Sequence, residues 1–134
     1  MFIYLAGAMS YYDKINKFEL ATLWRQHVSR QMQEYTIFDP CKNYNINKTY
    51  DSKGVVYQNI LFLNKADIII VDLYDIEKSP GTLFEIYYAF LHHKPVIAYG
   101  NNVLCDQPHI NASITIKFDA IDDVIKYIKN MYAI

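Results

Sequence analysis

Short apolar runs alternate with amphipathic stretches along the whole chain. Runs rich in β-branched and aromatic residues predict strands over residues 1–6, 36–38, 68–71, 95–99 and 113–118. Apolar residues at three- and four-residue spacing predict helices over residues 17–33, 55–65, 82–92 and 121–131. In the second of these helices, Ile60, Leu61 and Leu63 are expected to face inward. Residues 41–54 are polar and irregular, which predicts a loop.

The order of these elements predicts an α/β fold. Residues 68–71 are four consecutive β-branched residues without a polar partner, which is typical of a strand buried on both faces of a parallel sheet. Alternating strands and helices with short links predict a doubly wound sandwich with five parallel strands in the order 2-1-3-4-5. Ligands of such sheets bind at the carboxyl ends of the strands, where the strand order reverses. We therefore expect a site between the loops at residues 7–9 and 72–81.

Composition narrows the class of protein further. The 134 residues are 52% hydrophobic and 20% charged, which predicts one soluble domain over residues 1–134 with a full core. A formal net charge of -1 argues against binding a nucleic acid polymer through a basic field. The apolar runs are too short for a membrane span, and the first residues lack the basic leader of a signal peptide. Cys41 and Cys105 have neither CxxC nor zinc-ligand spacing, so we expect free thiols, no metal site and a cytoplasmic location.

The segment at residues 79–85 is the most informative one chemically. Thr82 followed three residues later by Glu85 fits a capping box, and local sequence alone favours that structural interpretation. The functional alternative is a carboxylate at a helix N-terminus on the ligand edge of the sheet, where the helix dipole keeps it ionised as a nucleophile must be. Tyr4, in the neighbouring first strand, is either an ordinary buried aromatic residue or a hydroxyl that orients this carboxylate.

Other polar residues near the predicted edge give weaker signals. The loop at Gly7 lacks a G-x-G-x-x-G pattern and a Walker lysine, which disfavours a dinucleotide or ATP site. Asp72 and Asp75 follow the third strand, and they either bind ribose hydroxyls or a base or cap the loop. Trp24 and Arg25 are expected to serve the face of their helix and its surface.

Three segments resemble the nucleoside 2-deoxyribosyltransferase family in their order and spacing: IYLAGAM, NKADIIIVDL and SPGTLFEIYYAFLHHKPVIAY. The resemblance runs from about residue 2 to residue 99 and less closely to about residue 115. It implies a flavodoxin-like three-layer sandwich and an enzyme that transfers 2-deoxyribose between nucleobases. Its substrates would be small nucleosides or deoxynucleotides and free bases, and it would need no metal or organic cofactor.

The resemblance also implies roles for particular residues. Glu85 would attack C1′ of the deoxyribose and form a covalent deoxyribosyl-enzyme, which an incoming base then attacks, with net retention of configuration. Tyr4 matches the tyrosine that hydrogen-bonds the nucleophile. Asn111 matches a residue that a neighbouring subunit lends to the 5′ side of the sugar, so we expect a homo-oligomer, at least a dimer. The residues expected to bind substrate are Gly7, Met9, Asn59, Asp72, Ser79, Gly81 and Asn111.

Two positions depart from the nucleoside-specific branch of the family. Asn59 stands where that branch has an aspartate at the base, and Asn cannot donate an acidic proton to a leaving base. Ser79 stands where the nucleoside-specific branch has an aspartate at the 5′-hydroxyl. The branch that hydrolyses deoxynucleoside 5′-monophosphates also has a serine at this position. A serine at a helix N-terminus suits a phosphate better than an aspartate does. We therefore expect a transferase first, an N-glycosidase second, and a non-catalytic nucleotide-binding domain last.

Overall fold

The computed structural model describes residues 1–43 and 49–133. Within these ranges five parallel strands form one sheet, and their order, 2-1-3-4-5, confirms the predicted topology. The strands are β1 (Phe2–Ala6), β2 (Thr36–Phe38), β3 (Ile68–Asp72), β4 (Val96–Tyr99) and β5 (Ile116–Phe118). The helices are α1 (Ser10–Lys14), α2 (Glu19–Gln31), α3 (Ser52–Lys65), α4 (Pro80–Leu91), α5 (Pro108–Ser113) and α6 (Ile121–Met131).

Alternate side chains of the central strands supply a core on each face of the sheet. On one face, Tyr4 of β1 and Val71 of β3 pack with residues of α3, α4 and α5. On the other face, Leu5 and Ile70 pack with residues of α2 and α6. All five residues of β3 are buried, as expected for a central parallel strand covered by helices on both sides. The result is the three-layer, flavodoxin-like sandwich.

Several element boundaries differ from the predicted ones. The short helices α1 and α5 were not predicted, because five or six residues are too few to show a helical period. The predicted strand at residues 113–118 begins only at Ile116, since α5 extends to Ser113. Helix α3 begins at Ser52, inside the predicted loop, because the Asp51 side chain caps it by accepting a hydrogen bond from the Gly54 amide at 2.9 Å. Residues 44–48 of that predicted loop lie outside the described ranges.

Helix α3 also corrects one prediction about facing. Leu63 is fully buried, but Leu61 is 63% exposed, so the expectation that both face inward was wrong. Residues two positions apart, such as Leu61 and Leu63, are separated by about 200° around a helix, so only one of them can point at the sheet. No helix in residues 1–43 or 49–133 is both long and apolar enough to cross a bilayer.

Candidate active site

A cavity of about 320 Å³ opens at the carboxyl edge of the sheet, which is within the size range of small-molecule sites. Its walls come from the end of β1, from α1 and α2, from the N-terminal half of α3 and from the start of α4. Of the predicted site residues, those that line it are Tyr4, Gly7, Met9, Asn59, Ser79, Gly81 and Glu85. The loop after β3 contributes less than expected, because only its last residues reach the cavity.

The carboxyl group of Glu85 meets the hydroxyl of Tyr4 at the cavity. Tyr4 lies on the face of β1 that packs against α4, and its hydroxyl donates a hydrogen bond to Glu85 Oε2. The capping-box interpretation was therefore wrong, as was placing Glu85 in the first helical turn. Helix α4 begins at Pro80, so Glu85 falls in the second turn. Thr82 is not the cap residue, and its hydroxyl instead lies 2.6 Å from that of Ser79.

The surroundings of Glu85 set its proton affinity. Burial raises the pKa of Glu85 from 4.5 to about 7, while the hydrogen bond from Tyr4 and the positive charge of Arg25 oppose that rise. We expected the helix dipole to keep this group ionised, but burial is the largest influence on its pKa and acts in the opposite direction. Burial and the neighbouring carboxylate raise the pKa of Tyr4 far above its ordinary value, so its hydroxyl keeps its proton and acts as a donor. Near neutral pH, Glu85 is thus partly a carboxylate, with its geometry held by Tyr4.

Arg25 is a residue of the cavity that the sequence interpretation missed. We expected it at the surface of its helix, but it is fully buried and lines the cavity. Its Nη1 donates to the Ala21 carbonyl at 2.7 Å and its Nη2 to the Gly7 carbonyl at 3.1 Å. The signal was present in the spacing, since position 25 lies four residues after Ala21 and three before Val28, both buried on the inner face of α2.

Gly7 follows β1 at a place where backbone, ring and carboxyl group crowd together. A Cβ at Gly7 would lie 3.1 Å from Trp24 Cζ2 and 3.2 Å from Asp72 Cβ. By contrast, a Cβ at Gly81 would meet nothing within 4 Å, because that residue faces open space at the start of α4. The absence of a side chain at Gly7 thus serves packing, whereas at Gly81 it leaves backbone accessible to a ligand.

The cavity wall formed by α3 carries amide side chains. Asn59 and its neighbour Gln58 both line the cavity. Amides donate and accept hydrogen bonds, as recognition of the edge of a nucleobase requires. Gln58 was not among the predicted site residues, and only its position on α3 brings it here.

Three of the candidate residues, Asp72, Asp75 and Asn111, do not line this cavity. Asp72 is buried and accepts a hydrogen bond from the Tyr74 amide at 2.9 Å, and burial raises its pKa to about 6. Asp75 likewise turns away, toward the Tyr12 hydroxyl at 2.7 Å. Asn111 is exposed on α5, which packs beside α4. Substrate-binding roles for Asp72 and Asn111 therefore stay predictions.

The described residues offer weaker candidates for another nucleophile or for a metal site. Burial raises the pKa of the Cys41 thiol to about 11, so it is a poor nucleophile at neutral pH. Across residues 1–43 and 49–133, no three His, Cys, Asp or Glu side chains are grouped as a metal ion would require. The cavity therefore centres on Glu85 and Tyr4.

The fold and the cavity together define a flavodoxin-like α/β protein with a cavity of small-molecule size around the half-buried carboxyl group of Glu85. The family model of nucleoside 2-deoxyribosyltransferase matches residues 3–109, and the chain belongs to this family. The family acts on nucleosides and bases, through transferases or related glycosidases.

Two solved structures share the fold over nearly the whole chain. A conserved protein from Enterococcus faecalis V583 is 16% identical with a TM-score of 0.76, covering 97% of this chain and 98% of its own. A 2-deoxyribosyltransferase from the psychrotolerant bacterium Bacillus psychrosaccharolyticus is 22% identical with a TM-score of 0.73, covering 95% of this chain and 92% of its own. None of the curated proteins compared with the chain matches it.

Proposed function

We propose that this protein transfers 2-deoxyribose between nucleobases through a covalent deoxyribosyl intermediate on Glu85. The observation that carries the proposal is the hydrogen bond between the Tyr4 hydroxyl and the Glu85 carboxylate inside the cavity. Membership in the nucleoside 2-deoxyribosyltransferase family supports the substrate class.

The reaction has two displacements at C1′ of the sugar. Tyr4 holds Oε2 of Glu85, which leaves Oε1 to attack C1′. The C–N glycosidic bond breaks, its electron pair leaves with the base nitrogen, and an ester bond joins the sugar to Glu85. A ring nitrogen of the second base then attacks C1′, loses its proton to water and releases the carboxylate. Two inversions give net retention, as in retaining glycosidases.

Departure of the base is aided here by hydrogen bonding. Asn59 and Gln58 line the cavity with amide groups, which stabilise charge on the leaving base without giving up a proton. The proton that the base finally takes then comes from water. Base exchange should consequently favour bases that leave readily as hydrogen-bonded anions.

The proposal is tested by supplying a deoxynucleoside with a second free base and measuring the new deoxynucleoside by chromatography. Glu85→Ala should abolish exchange, whereas Glu34→Ala, at an exposed glutamate, should not change it. Mass spectrometry of the wild-type protein with deoxynucleoside alone should find one deoxyribosyl group on Glu85. Exchange by Glu85→Ala at the wild-type rate would show that another group is the nucleophile.

A second candidate function is hydrolysis of deoxynucleoside 5′-monophosphates. Ser79, instead of an acidic residue, lines the cavity at the N-terminus of α4, where a phosphate would be accepted. Against it, Arg25 is the one cationic side chain among the described lining residues, and both of its terminal nitrogens already donate to main-chain carbonyls. Release of base from dCMP or dGMP, without exchange on a deoxynucleoside, would select the hydrolase.

We also propose that the protein is at least a dimer, in which Asn111 of a second copy reaches the 5′ side of the sugar. A surface groove beside this residue is lined by apolar side chains of α4 and α5, including the exposed Phe90 and Leu91. Sedimentation at micromolar concentration tests this proposal. A monomer would remove the role given to Asn111.

A further inference from the structure

The guanidinium of Arg25 is a buried charge whose ion pair with Asp39 is long. Its nearest carboxylate oxygen, Asp39 Oδ1, lies 3.8 Å from Nε, which is beyond hydrogen-bond distance. Nε has no hydrogen-bond partner, although the side chain is fully buried. A buried cation is costly unless it is well paired, so helix stability alone does not account for an arginine at this position.

Arg25 connects the loop after β1 to helix α2. Its Nη2 donates to the carbonyl of Gly7, three residues after Tyr4 in the chain and just beyond the end of β1. Its Nη1 donates to the Ala21 carbonyl within α2. The guanidinium therefore fixes the loop from which the cavity wall is built.

The charged and titratable groups near Glu85 are mostly acidic or neutral. Tyr4 of β1 contacts it directly, and Asp13 of α1 and Tyr50, which precedes α3, line the same cavity. Helix α3 contributes uncharged amides to the wall, and Arg25 of α2 is the single cation among the described lining residues.

Two further carboxyl groups interact with the charge of Arg25. Asp39 follows β2 and Asp72 ends β3, and both are buried. The charge of Arg25 lowers the pKa of each of these groups as well as that of Glu85. Its positive charge is thus shared among three carboxyl groups, none of which pairs with it at hydrogen-bond distance.

We propose that Arg25 is a positioning residue that anchors the loop after β1 and places on the cavity wall a fixed positive charge that favours the carboxylate form of Glu85. This inference rests on the role proposed for Glu85. A bound nucleoside would exclude water from the cavity, and the unscreened charge of Arg25 would then matter more, because attraction between charges grows as water is removed.

The experiment follows the carboxyl carbon of Glu85 by NMR in protein labelled with ¹³C-glutamate, over a pH titration. Arg25→Met should raise the pKa of Glu85 by about one pH unit, the lower end of what a nearby opposite charge contributes. Asp39→Asn removes a competing negative charge and should lower it. Opposite shifts from the two variants would not arise if Arg25 had a packing role only.

Arg25→Met leaves Asp39 buried without its cation, so a second variant guards against loss of folding. The double variant Arg25→Met/Asp39→Asn is neutral at both positions and should raise the pKa of Glu85 as the single variant does. If neither folds, Asp39→Asn alone decides the matter. An unchanged Glu85 titration in any folded variant of this set would overturn the inference.

Kinetics give a second readout. The acidic limb of the kcat/KM profile for base exchange should follow the Glu85 titration. Arg25→Met should lower kcat/KM at pH 6 about tenfold, and Arg25→Lys, which keeps the charge, should restore the wild-type profile. The NMR titration does not depend on what the enzyme transfers. If the titration shifts as expected but the wild-type protein exchanges no bases, the proposed function fails and the electrostatic role of Arg25 stands.

Discussion

Glu85→Gln should stabilise the fold above neutral pH while removing the carboxylate that we propose as the nucleophile. The pKa of Glu85 is 4.5 in water and about 7 in the fold, so the folded protein binds this proton more tightly than the unfolded chain does. Stability contributed by the group is then fully present below pH 4.5 and is lost as the pH rises through 7. Each pH unit between the two values corresponds to about 1.4 kcal/mol, so the full loss is about 3 kcal/mol. Because the Glu85 side chain is only half-buried, solvent screening reduces the expected loss of stability to about 2 kcal/mol.

Urea unfolding at pH 5 and pH 8, at fixed ionic strength, measures the free energy of unfolding of both proteins. Glu85→Gln and wild type should be similar at pH 5, and the variant should be about 2 kcal/mol more stable at pH 8. Asp72, whose pKa burial raises to about 6, titrates in the same window but is present in both proteins and cancels from the difference. Glu34→Gln, at an exposed glutamate whose carboxylate lies 3.4 Å from Lys129 Nζ, is the matched control for exchanging glutamate for glutamine outside the cavity. A difference between Glu85→Gln and wild type that is the same at both pH values would refute the reasoning.

Three further variants test the packing and the hydrogen bond of the site. Tyr4→Phe removes a donor that lowers the pKa of Glu85, so the acidic limb of base exchange should move to higher pH, with about a tenfold loss of rate at pH 6; an unmoved limb would contradict this. Gly7→Ala pushes a Cβ to within 3.1 Å of Trp24 and should lower the free energy of unfolding by about 1–3 kcal/mol, measured by urea denaturation. Gly81→Ala meets nothing within 4 Å and should raise that free energy by about 0.5–1 kcal/mol, so equal destabilisation by both alanines would be inconsistent with the described cavity.

The sheet topology could be predicted because its signals are strong and local. A run such as residues 68–71 is too apolar and too β-branched for anything but a central strand, and the alternation of elements then leaves few topologies. The helices α1 and α5 were missed because each has fewer than two turns and no repeating apolar stripe. The start of α4 was placed two residues late, because T-x-x-E resembles a cap and Pro80 was not recognised as the first helical residue.

The site was predictable where backbone topology alone brings residues together. Tyr4 and Glu85 follow from the adjacency of β1 and β3, since α4 begins just after β3 at the same edge. The direction of a side chain at the end of a strand does not follow from topology: Asp72, the last residue of β3, accepts a hydrogen bond from the Tyr74 amide and does not line the cavity. Arg25 was missed because a charged residue on an apolar stripe was assigned to the surface by its residue type instead of by its spacing.

The position of Glu85 argues for a chemical role over a structural one. A glutamate that stabilises a helix start lies in the first turn, where free amides and the dipole favour its ionised form. Glu85 lies in the second turn, contacts a tyrosine on another element, and has a pKa raised by burial. Its ionised form therefore lowers the stability of the fold, which is typical of groups held for reaction with a ligand. The stability that Glu85→Gln should gain at pH 8 thus measures how strongly the cavity disfavours the Glu85 carboxylate despite Tyr4 and Arg25. In the proposed reaction, the positive charge that develops on the sugar in the transition state would supply the stabilisation of the carboxylate that these two residues do not.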